Sequence, residues 1–354
     1  MAPANDSQPL VARGLNLDTL LRYASRVLRS PLPSFIAVSA ITRGRPGIRA
    51  RDKAAVASAL WIAVVYALPA TCRLAARLLG PRRRPVQWAD EVVVVTGGSH
   101  GVGLELTTRL LAAGARVAVV DVNPIPPLVE AGSGGQVRWY GCDVTDLEQV
   151  KGMADRIRAE LGDPTMLVNN AGIVVGKLLL DMTDNEVDKV VNVNLTSHFH
   201  LIRQFLPAML RCGRGHIVSI GSVVSFAGMP QGTTYCATKG GVKMLHESLR
   251  REIASRYEPN NIQFTIAYPG VIDTGMFAGL QLGQFLLPNL RPDAPARVVF
   301  AALESGKGQE IYLPAAAHIV RALYLLPPGA RAGILNLVSG SDSAMAKFAG
   351  HTKY

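Results

Sequence analysis

Three residues that can move protons stand close together in the middle of the chain. Lys239 follows Tyr235 by four residues, and Ser222 precedes Tyr235 by 13 residues. Four residues apart on a helix, a phenol and an ammonium share one face, so the positive charge can lower the tyrosine pKa from its usual value of about 10. Such a tyrosine can take a proton from an alcohol or return it to a carbonyl. The spacing therefore predicts acid and base chemistry at a substrate oxygen.

A glycine-rich segment, residues 96–103, lies well upstream of these residues. It follows a short apolar, β-branched run and precedes leucines at helical spacing, which is the order of a strand, a turn and a helix. Gly97 permits a tight turn, Gly101 leaves room for a pyrophosphate at the helix N-terminus, and Gly103 allows the helix to pack closely on the strand. We therefore predict a dinucleotide site, and with it hydride transfer, whose loop residues are Gly97, Ser99, His100, Gly101, Val102 and Gly103.

The second strand-like run, residues 116–121, ends in a carboxylate. Asp121 lies 24 residues after Gly97, where an acidic residue accepts hydrogen bonds from the ribose hydroxyls of NAD. The 2′-phosphate of NADP would meet a like charge there, and the sequence between Thr96 and Arg109 holds no lysine or arginine. The predicted cofactor is therefore NAD, with NADP less favoured. The alternative role for Asp121 is to cap the turn that follows its strand.

Further motifs follow in chain order, and with them residues 88–315 resemble the short-chain dehydrogenase/reductase family. They are Cys-Asp-Val-Thr-Asp at 142–146, Asn-Asn-Ala-Gly at 169–172, Val-Asn-Val-Asn-Leu at 191–195, and Pro-Gly at 269–270 with Thr274. The resemblance implies that Ser222 donates to the substrate oxygen while Tyr235 exchanges the proton. It implies that Lys239 lowers the phenol pKa and binds the nicotinamide ribose, and that Asn194 organises a water beside the lysine.

The same resemblance implies the remaining cofactor contacts. Asp143 and Val144 would contact the adenine, and Asn170, Ala171 and Gly172 would form the turn that closes the fourth strand. The segment that covers the nicotinamide would comprise Pro269, Gly270 and Thr274, with the threonine bonded to the carboxamide. No cluster of residues suggests a metal site. His198 and His200 are interpreted as packing or surface residues rather than ligands.

Strand-like runs alternate with helical runs through this region, which predicts an α/β fold: a Rossmann-type, doubly wound parallel sheet with helices on both faces. The ligand crevice is expected at the carboxyl ends of the strands. The predicted strands are Glu91–Val95, Arg116–Asp121, Val137–Val144, Met166–Asn170, His216–Ser222, Ile262–Tyr268 and Glu310–Leu313.

The first 87 residues form a basic and apolar arm, predicted to be helical. They hold 14 lysines and arginines against 3 acidic residues, whereas residues 88–354 hold 23 of each sign. Residues 54–72 carry no charge and, as a helix of about 28 Å, barely suffice to cross a hydrocarbon core. The arm is therefore predicted to bind a membrane surface rather than nucleic acid. The alternatives for 54–72 are a hairpin or interfacial anchor that embeds without spanning, and a buried helix of a soluble protein.

Several segments within and beyond the sheet region bear on the substrate or on where the chain docks. Residues 198–210, 215–220 and 235–239 resemble the membrane-associated retinol dehydrogenases and 17-beta-hydroxysteroid dehydrogenases, which implies a lipophilic alcohol or ketone. Residues 271–296 are rich in apolar side chains and are predicted to form a mobile flap over it. The apolar tail, residues 316–354, is expected to dock on a partner subunit or to touch the membrane.

Together these features predict an NAD(H)-dependent oxidoreductase acting on a retinoid, steroid or fatty alcohol. The predicted location is the endoplasmic reticulum or a lipid droplet, with the catalytic domain in the cytosol, and the resemblance implies a homo-oligomer. Two alternatives stay open. One is an NADPH-dependent ketone reductase of lipid or sterol synthesis, and the other is a catalytically silent, membrane-tethered NAD-binding protein.

Overall fold

The computed structural model describes residues 86–258, 260–277, 280, 288–314, 317–323, 326–339 and 348. Residues 1–85 of the predicted arm, with the candidate membrane helix 54–72, lie outside the described residues. Within the residues that are described, no helix combines the length and the apolar character needed to cross a membrane.

A seven-stranded, fully parallel sheet forms the centre of the described chain. Its strands lie in the order β3-β2-β1-β4-β5-β6-β7. The strand order therefore runs outward in opposite directions from β1 and β4, and the topological switch point lies between these two strands. The strands are β1 (Val92–Thr96), β2 (Arg116–Asp121), β3 (Val137–Gly141), β4 (Met166–Asn169), β5 (Arg214–Ile220), β6 (Asn261–Pro269) and β7 (Glu310–Leu313). The predicted fold class is confirmed.

Most predicted strand ends are wrong by one to three residues. Where the predicted run is too long, local hydrogen bonds stop the ladder. The predicted run 137–144 ends at Gly141, since Asp143 instead accepts hydrogen bonds from the backbone and side chain of Thr145. The run predicted to end at Ser222 stops at Ile220, because Ser222 caps a 3-10 turn at Val223–Ser225.

Nine α-helices connect or follow these strands in the described residues. They are α1 (Gly101–Ala112), α2 (Pro127–Ala131), α3 (Leu147–Leu161), α4 (Asp184–Val191), α5 (Ser197–Arg211), α6 (Thr233–Arg256), α7 (Asp293–Glu304), α8 (Ala317–Ala322) and α9 (Pro328–Ser339). A π-helical turn, Asn192–Thr196, joins α4 to α5. Asp146 caps α3, and Thr183 with Glu186 forms a capping box at α4.

Both faces of the sheet are covered, which explains why its strands read as continuous apolar runs. On one face, Val93 and Val95 of β1 pack with Leu106 and Leu110 of α1 and with Val299 of α7. On the other face, the central strands pack on α3, α5 and α6 through a second cluster that includes Ile157, Phe205 and Ile253. The two clusters hold the strand ends in place, so the site at those ends rests on a rigid base.

The predicted flap, residues 271–296, is described at its two ends. Ile272 and Leu290 form a parallel bridge, with hydrogen bonds from Leu290 N to Val271 O of 2.8 Å and from Asp273 N to Leu290 O of 2.9 Å. Residues 278–279 and 281–287 lie outside the described residues. The predicted end of the flap is wrong, because residues 293–296 already belong to α7, whose Ala294 and Ala296 are buried.

Part of the C-terminal tail packs on the chain's own sheet. Ala317 and Val320 of α8 are buried in a cluster with Tyr268 of β6 and Tyr312 of β7. Phe348 is also buried, in a different cluster that includes Tyr235. These contacts cover the β7 edge and the catalytic end of the sheet, and docking of the tail on a partner or a membrane stays a prediction.

Candidate active site

The glycine-rich turn between β1 and α1 has the geometry that its motif predicts. Gly97 and Gly101 adopt positive φ angles of 63° and 50°, which glycine alone adopts without strain. A Cβ at Gly103 would lie 2.1 Å from the carbonyl oxygen of Gly97, and one at Gly101 would lie 2.9 Å from Thr274 Cγ2. The turn therefore leaves bare backbone at the N-terminus of α1, where N–H groups and the helix dipole favour a pyrophosphate.

Asn170 ties the end of β4 to this turn. Its Nδ2 donates to the carbonyl oxygens of Thr96 and Gly97, at 2.9 and 3.1 Å. In return, Thr96 Oγ1 accepts from the backbone nitrogens of Asn170 and Ala171, both at 3.0 Å. The Asn170 side chain thus positions the glycine-rich turn from the neighbouring strand.

Asp121 lies at the carboxyl end of β2 and faces the same turn. One carboxylate oxygen accepts from Ser99 N at 3.1 Å and the other from Asn123 N at 3.0 Å. Ser99 Oγ closes the arrangement by donating to Asn123 O at 2.8 Å. Asp121 therefore caps the turn after its strand, as in the alternative role, and its carboxylate also lines the cavity described next.

A cavity of about 570 Å³ runs along the carboxyl ends of the strands. It brings together most of the predicted site residues; Ser99, Gly103 and Asn194 are buried behind its wall. The predicted residues on the wall are Gly97, His100, Gly101, Val102, Asp121, Asp143, Val144, Asn170, Ala171, Gly172, Ser222, Tyr235, Lys239, Pro269, Gly270 and Thr274.

Sequence reasoning missed other residues on this wall. Val122, Asn123, Cys142 and Gly221 directly follow strands β2, β3 and β5, so the rule that ligands bind at strand ends would have found them. Met276 and Phe277 lie on the wall within the predicted flap. Ile173, Lys189 and Val193 carry no such signal, because the path of the chain after β4 brings them there.

The predicted catalytic residues Ser222, Tyr235 and Lys239 converge between β5 and α6. Ser222 follows β5, and its Oγ donates to Pro269 O at 3.4 Å and accepts from Val224 N at 3.3 Å. Ser222 also lies within hydrogen-bonding reach of the Tyr235 hydroxyl. Lys239 Nζ lies 5.6 Å from the centroid of the Tyr235 ring and donates to Ile220 O at 2.8 Å.

Burial dominates the electrostatics of this pair. Tyr235 and Lys239 are only 5% and 3% exposed. Burial raises the pKa of Tyr235, against the opposing effect of its hydrogen bond with Ser222, and burial lowers the pKa of Lys239 to about 8. Burial therefore acts against the predicted lowering of the Tyr235 pKa by Lys239, and that role of Lys239 stays a prediction.

Asn194 sits in the π-helical turn and is fully buried. Its Nδ2 donates to Ile173 O at 2.9 Å and to Thr238 Oγ1 at 3.2 Å, while its Oδ1 accepts from Ile173 N at 2.8 Å. A Cβ on Gly172 would lie 3.4 Å from Asn194 Oδ1 and 3.6 Å from Lys239 Nζ. Asn194 therefore joins α6 to the segment after β4, and its role in organising a water stays a prediction.

The comparisons with known proteins agree with this geometry. The family model described as short chain dehydrogenase matches residues 91–284, from β1 through the catalytic residues. The chain belongs to the short-chain dehydrogenase family. It is therefore an oxidoreductase that interconverts alcohols and carbonyl compounds with a nicotinamide dinucleotide.

Among the similar proteins are other short-chain dehydrogenases. The chain is 36% identical to Dehydrogenase RED2 of Cochliobolus heterostrophus over 51% of this chain and 68% of that one. It is 30% identical to human Retinol dehydrogenase 10 over 78% of this chain and 89% of that one. A crystal structure of a metagenomic short-chain oxidoreductase in complex with NADP matches with a TM-score of 0.53 and 26% identity, covering 64% and 98% of the two chains.

Beside these short-chain dehydrogenase residues lies an apolar cluster, which we call the Tyr235 cluster. Three of its members, Tyr235, Met276 and Phe277, line the cavity. Val174, Val271, Leu280 and Phe348 are buried together with Tyr235. The partly buried residues packed on them are Val224, Met229, Met276 and Phe277. The Tyr235 hydroxyl thus belongs to a ring that is surrounded mainly by apolar side chains.

The residues present fit a nicotinamide dinucleotide. The glycine-rich turn and the N-terminus of α1 would hold the pyrophosphate, Asp121 the adenosine ribose, and Lys239 the nicotinamide ribose. When bound, the nicotinamide ring accepts or supplies the hydride. Ser222 and Tyr235 lie at the same end of the cavity as Lys239, where a substrate oxygen can contact them.

Proposed function

We propose that the protein is an NAD(H)-dependent oxidoreductase that interconverts a lipophilic alcohol and its carbonyl compound, of the retinoid, steroid or fatty alcohol class. The observation that carries this proposal is the Tyr235 cluster, which surrounds the proton-exchanging residue with aliphatic, methionine and phenylalanine side chains. Burying apolar substrate surface there is favourable at about 25 cal/mol per Å². Similarity to Retinol dehydrogenase 10 supports the same substrate class.

The residues of this chain divide the reaction between them. Ser222 donates a hydrogen bond to the substrate oxygen and holds it beside Tyr235. In the oxidative direction Tyr235 takes the hydroxyl proton. The hydride of the carbon that bears this hydroxyl would pass to bound NAD, so that alcohol and NAD would give carbonyl compound, NADH and a proton. Lys239, which is buried beside the ring, passes that proton on and holds the nicotinamide ribose.

Asp121 supports the preference for NAD. Its carboxylate lines the cavity, and each oxygen accepts one backbone hydrogen bond, which leaves lone pairs for the two ribose hydroxyls. A 2′-phosphate at this point would meet the carboxylate charge. His100 is exposed on the cavity wall, where a ring N–H could donate a hydrogen bond to a 2′-phosphate.

The charge distribution of the chain supports a membrane location. The excess of basic residues lies ahead of residue 88 and flanks the uncharged stretch 54–72. We propose that this arm binds the surface of the endoplasmic reticulum or a lipid droplet, that the dehydrogenase domain faces the cytosol, and that the chain forms a homo-oligomer. A lipophilic substrate partitions into the same surface, so the arm would place the enzyme where its substrate is concentrated.

A substrate screen tests the proposal. The full chain, purified in detergent, would be assayed with retinoids, steroids and long-chain fatty alcohols, with NAD and NADP compared by the fluorescence of the reduced cofactor. We expect turnover of at least one lipophilic class and a larger kcat/KM with NAD. Faster turnover of lipid ketones with NADPH would establish the reductase alternative, and bound cofactor without any turnover would establish a silent binding protein.

A further inference from the structure

Three aromatic rings connect the catalytic tyrosine to the C-terminal tail. The ring centroids of Tyr235 and Phe277 are 5.8 Å apart with the planes at 79°, an edge-to-face contact. The centroids of Phe277 and Phe348 are 6.0 Å apart with the planes at 23°, a stacked contact. Both distances lie in the range in which aromatic pairs attract, so the rings form one continuous contact.

The three rings have different access to the cavity. Tyr235 and Phe277 line it, whereas Phe348 packs behind them and is 3% exposed. Phe277 is only partly buried and lines the cavity, while its ring stacks on Phe348. The residue from the tail therefore contacts the wall of the substrate site rather than the substrate.

We propose that Phe277 determines substrate specificity beside the reacting carbon and that Phe348 is its positioning residue. A Phe277 ring held on one side by Phe348 and at its edge by Tyr235 presents a fixed apolar surface to a long, flat substrate. Without Phe348, the Phe277 ring gains rotational freedom and loses stacking, and the fit of a bulky substrate weakens. A small substrate, which reaches Ser222 and Tyr235 without touching Phe277, is unaffected.

This inference rests on the proposed function, and a matched pair of substrates separates the two. All-trans-retinol and 3-methylbut-2-en-1-ol are both primary allylic alcohols, so the bond that breaks is the same and the apolar length differs. If the wild-type protein oxidises neither alcohol nor any other lipophilic substrate, the proposed function fails. If the wild type oxidises retinol, the variants below test the role of Phe348.

The first variants are Phe348→Leu, which keeps an apolar side chain but removes the ring, and Phe348→Ala. We expect kcat/KM for retinol to fall by about tenfold, mainly through a higher KM, because an aromatic contact contributes about as much as one decade of affinity. The kcat/KM for 3-methylbut-2-en-1-ol and the KM for NAD should each change by less than about twofold. Phe348→Tyr should retain the wild-type ratio of kcat/KM for the two alcohols.

Phe264→Leu is the matched control. Phe264 is another buried phenylalanine with an edge-to-face ring contact, to His246 at 5.7 Å. It belongs to the core cluster between the sheet and helices α3, α5 and α6, and it does not line the cavity. Its replacement should lower the melting temperature and should change kcat/KM for the two alcohols by the same factor. If Phe348→Leu lowers kcat/KM for both alcohols by the same factor, Phe348 has the same purely structural role as Phe264, and the inference is overturned.

A double-variant cycle tests whether Phe348 acts through Phe277. If it does, Phe277→Ala and the double variant Phe277→Ala/Phe348→Ala should show the same ratio of kcat/KM for retinol to kcat/KM for 3-methylbut-2-en-1-ol. Independent losses that multiply in the double variant would contradict a positioning role. An unchanged ratio in Phe277→Ala alone would contradict the assignment of Phe277 as the specificity residue.

Discussion

Lys239 Nζ donates a hydrogen bond to Ile220 O, 2.8 Å away at the carboxyl end of β5. This bond aims the ammonium at a strand end, with the Tyr235 ring centroid 5.6 Å away. The pair is therefore held by the sheet and by burial. The chemistry that it supports depends on which of the two groups carries a proton at a given pH.

Replacing Tyr235 by phenylalanine should remove the proton-exchanging group and leave the ring contacts in place. We expect the rate to fall on the order of 10²-fold to 10⁴-fold, with little change in the dissociation constant of NADH measured by fluorescence. Full turnover of Tyr235→Phe would contradict the assignment of Tyr235.

The pH dependence of carbonyl reduction should report Lys239. Its pKa is lowered by burial to about 8, so it is charged below that pH and neutral above it. In the proposed mechanism Tyr235 recovers its proton through Lys239, so kcat/KM for reduction should fall as the pH rises through about 8. Ser222→Ala should lower the whole profile and leave the position of this fall unchanged. A flat profile through this range would exclude a role for Lys239 in proton supply.

Replacing Asp121 by asparagine should narrow the preference for NAD. The variant keeps one oxygen that can accept from the backbone nitrogen of Ser99 or Asn123, but it loses the charge that opposes a 2′-phosphate. We expect the ratio of kcat/KM with NAD to that with NADP to fall on the order of tenfold. An unchanged ratio would show that the carboxylate acts only as a cap of its turn.

A pair of glycine replacements tests the close approach of α1 to its turn. Gly103→Ala would place a Cβ 2.1 Å from Gly97 O, so we expect loss of NADH binding and a destabilisation of at least about 1 to 3 kcal/mol from overpacking. Gly152→Ala, at an open and exposed position in α3, should instead stabilise the fold by about 0.5 to 1 kcal/mol. Urea denaturation of both variants measures the difference. Similar effects of the two changes would contradict the packing argument.

His198 should make the protein sensitive to acid. Burial, with the charges of Lys239 and His246 nearby, lowers its pKa from 6.5 to about 3. The unfolded chain therefore binds a proton that the folded protein excludes, so stability is full above about pH 6.5 and is lost as the pH falls. His198→Gln should reduce the slope of the unfolding free energy against pH between pH 6 and pH 4 by about 1.4 kcal/mol per pH unit, which is the contribution of one proton.

His246 contributes to the slope that remains in His198→Gln. Burial and the charge of Arg250 lower the pKa of His246 to about 4, against the opposing charge of Glu247. A slope that is identical in the wild type and in His198→Gln would show that His198 is not held neutral.

Local patterns in the sequence were sufficient for the fold and for most of the cavity wall. The strands could be found because a parallel sheet covered on both faces requires uninterrupted apolar runs, as in β1. The glycine-rich turn could be found because backbone geometry at Gly97 and Gly103 demands glycine. Asp121, Ser222 and Pro269 follow from the rule that ligands bind at the ends of such strands.

Properties that depend on distant parts of the chain could not be found in this way. The raised pKa of Tyr235 arises from burial by neighbours that include Val174, Val271 and Phe348, which lie far from it in sequence. No motif surrounds Phe348, so nothing local signalled its contact with Phe277. The bonds between Asn194 and Ile173 likewise depend on how two segments after β4 meet.

The π-helical turn at Asn192–Thr196 has a consequence for the length of the chain between α4 and α5. Such a turn accommodates one extra residue in a helix, and each residue of an α-helix advances it by about 100°. Deleting a single residue there would rotate α5, swing Leu201 and Phe205 from the sheet toward water, and withdraw Asn194 from Ile173. Insertions and deletions should therefore be tolerated in the surface connections of this dehydrogenase long before they are tolerated in this one turn.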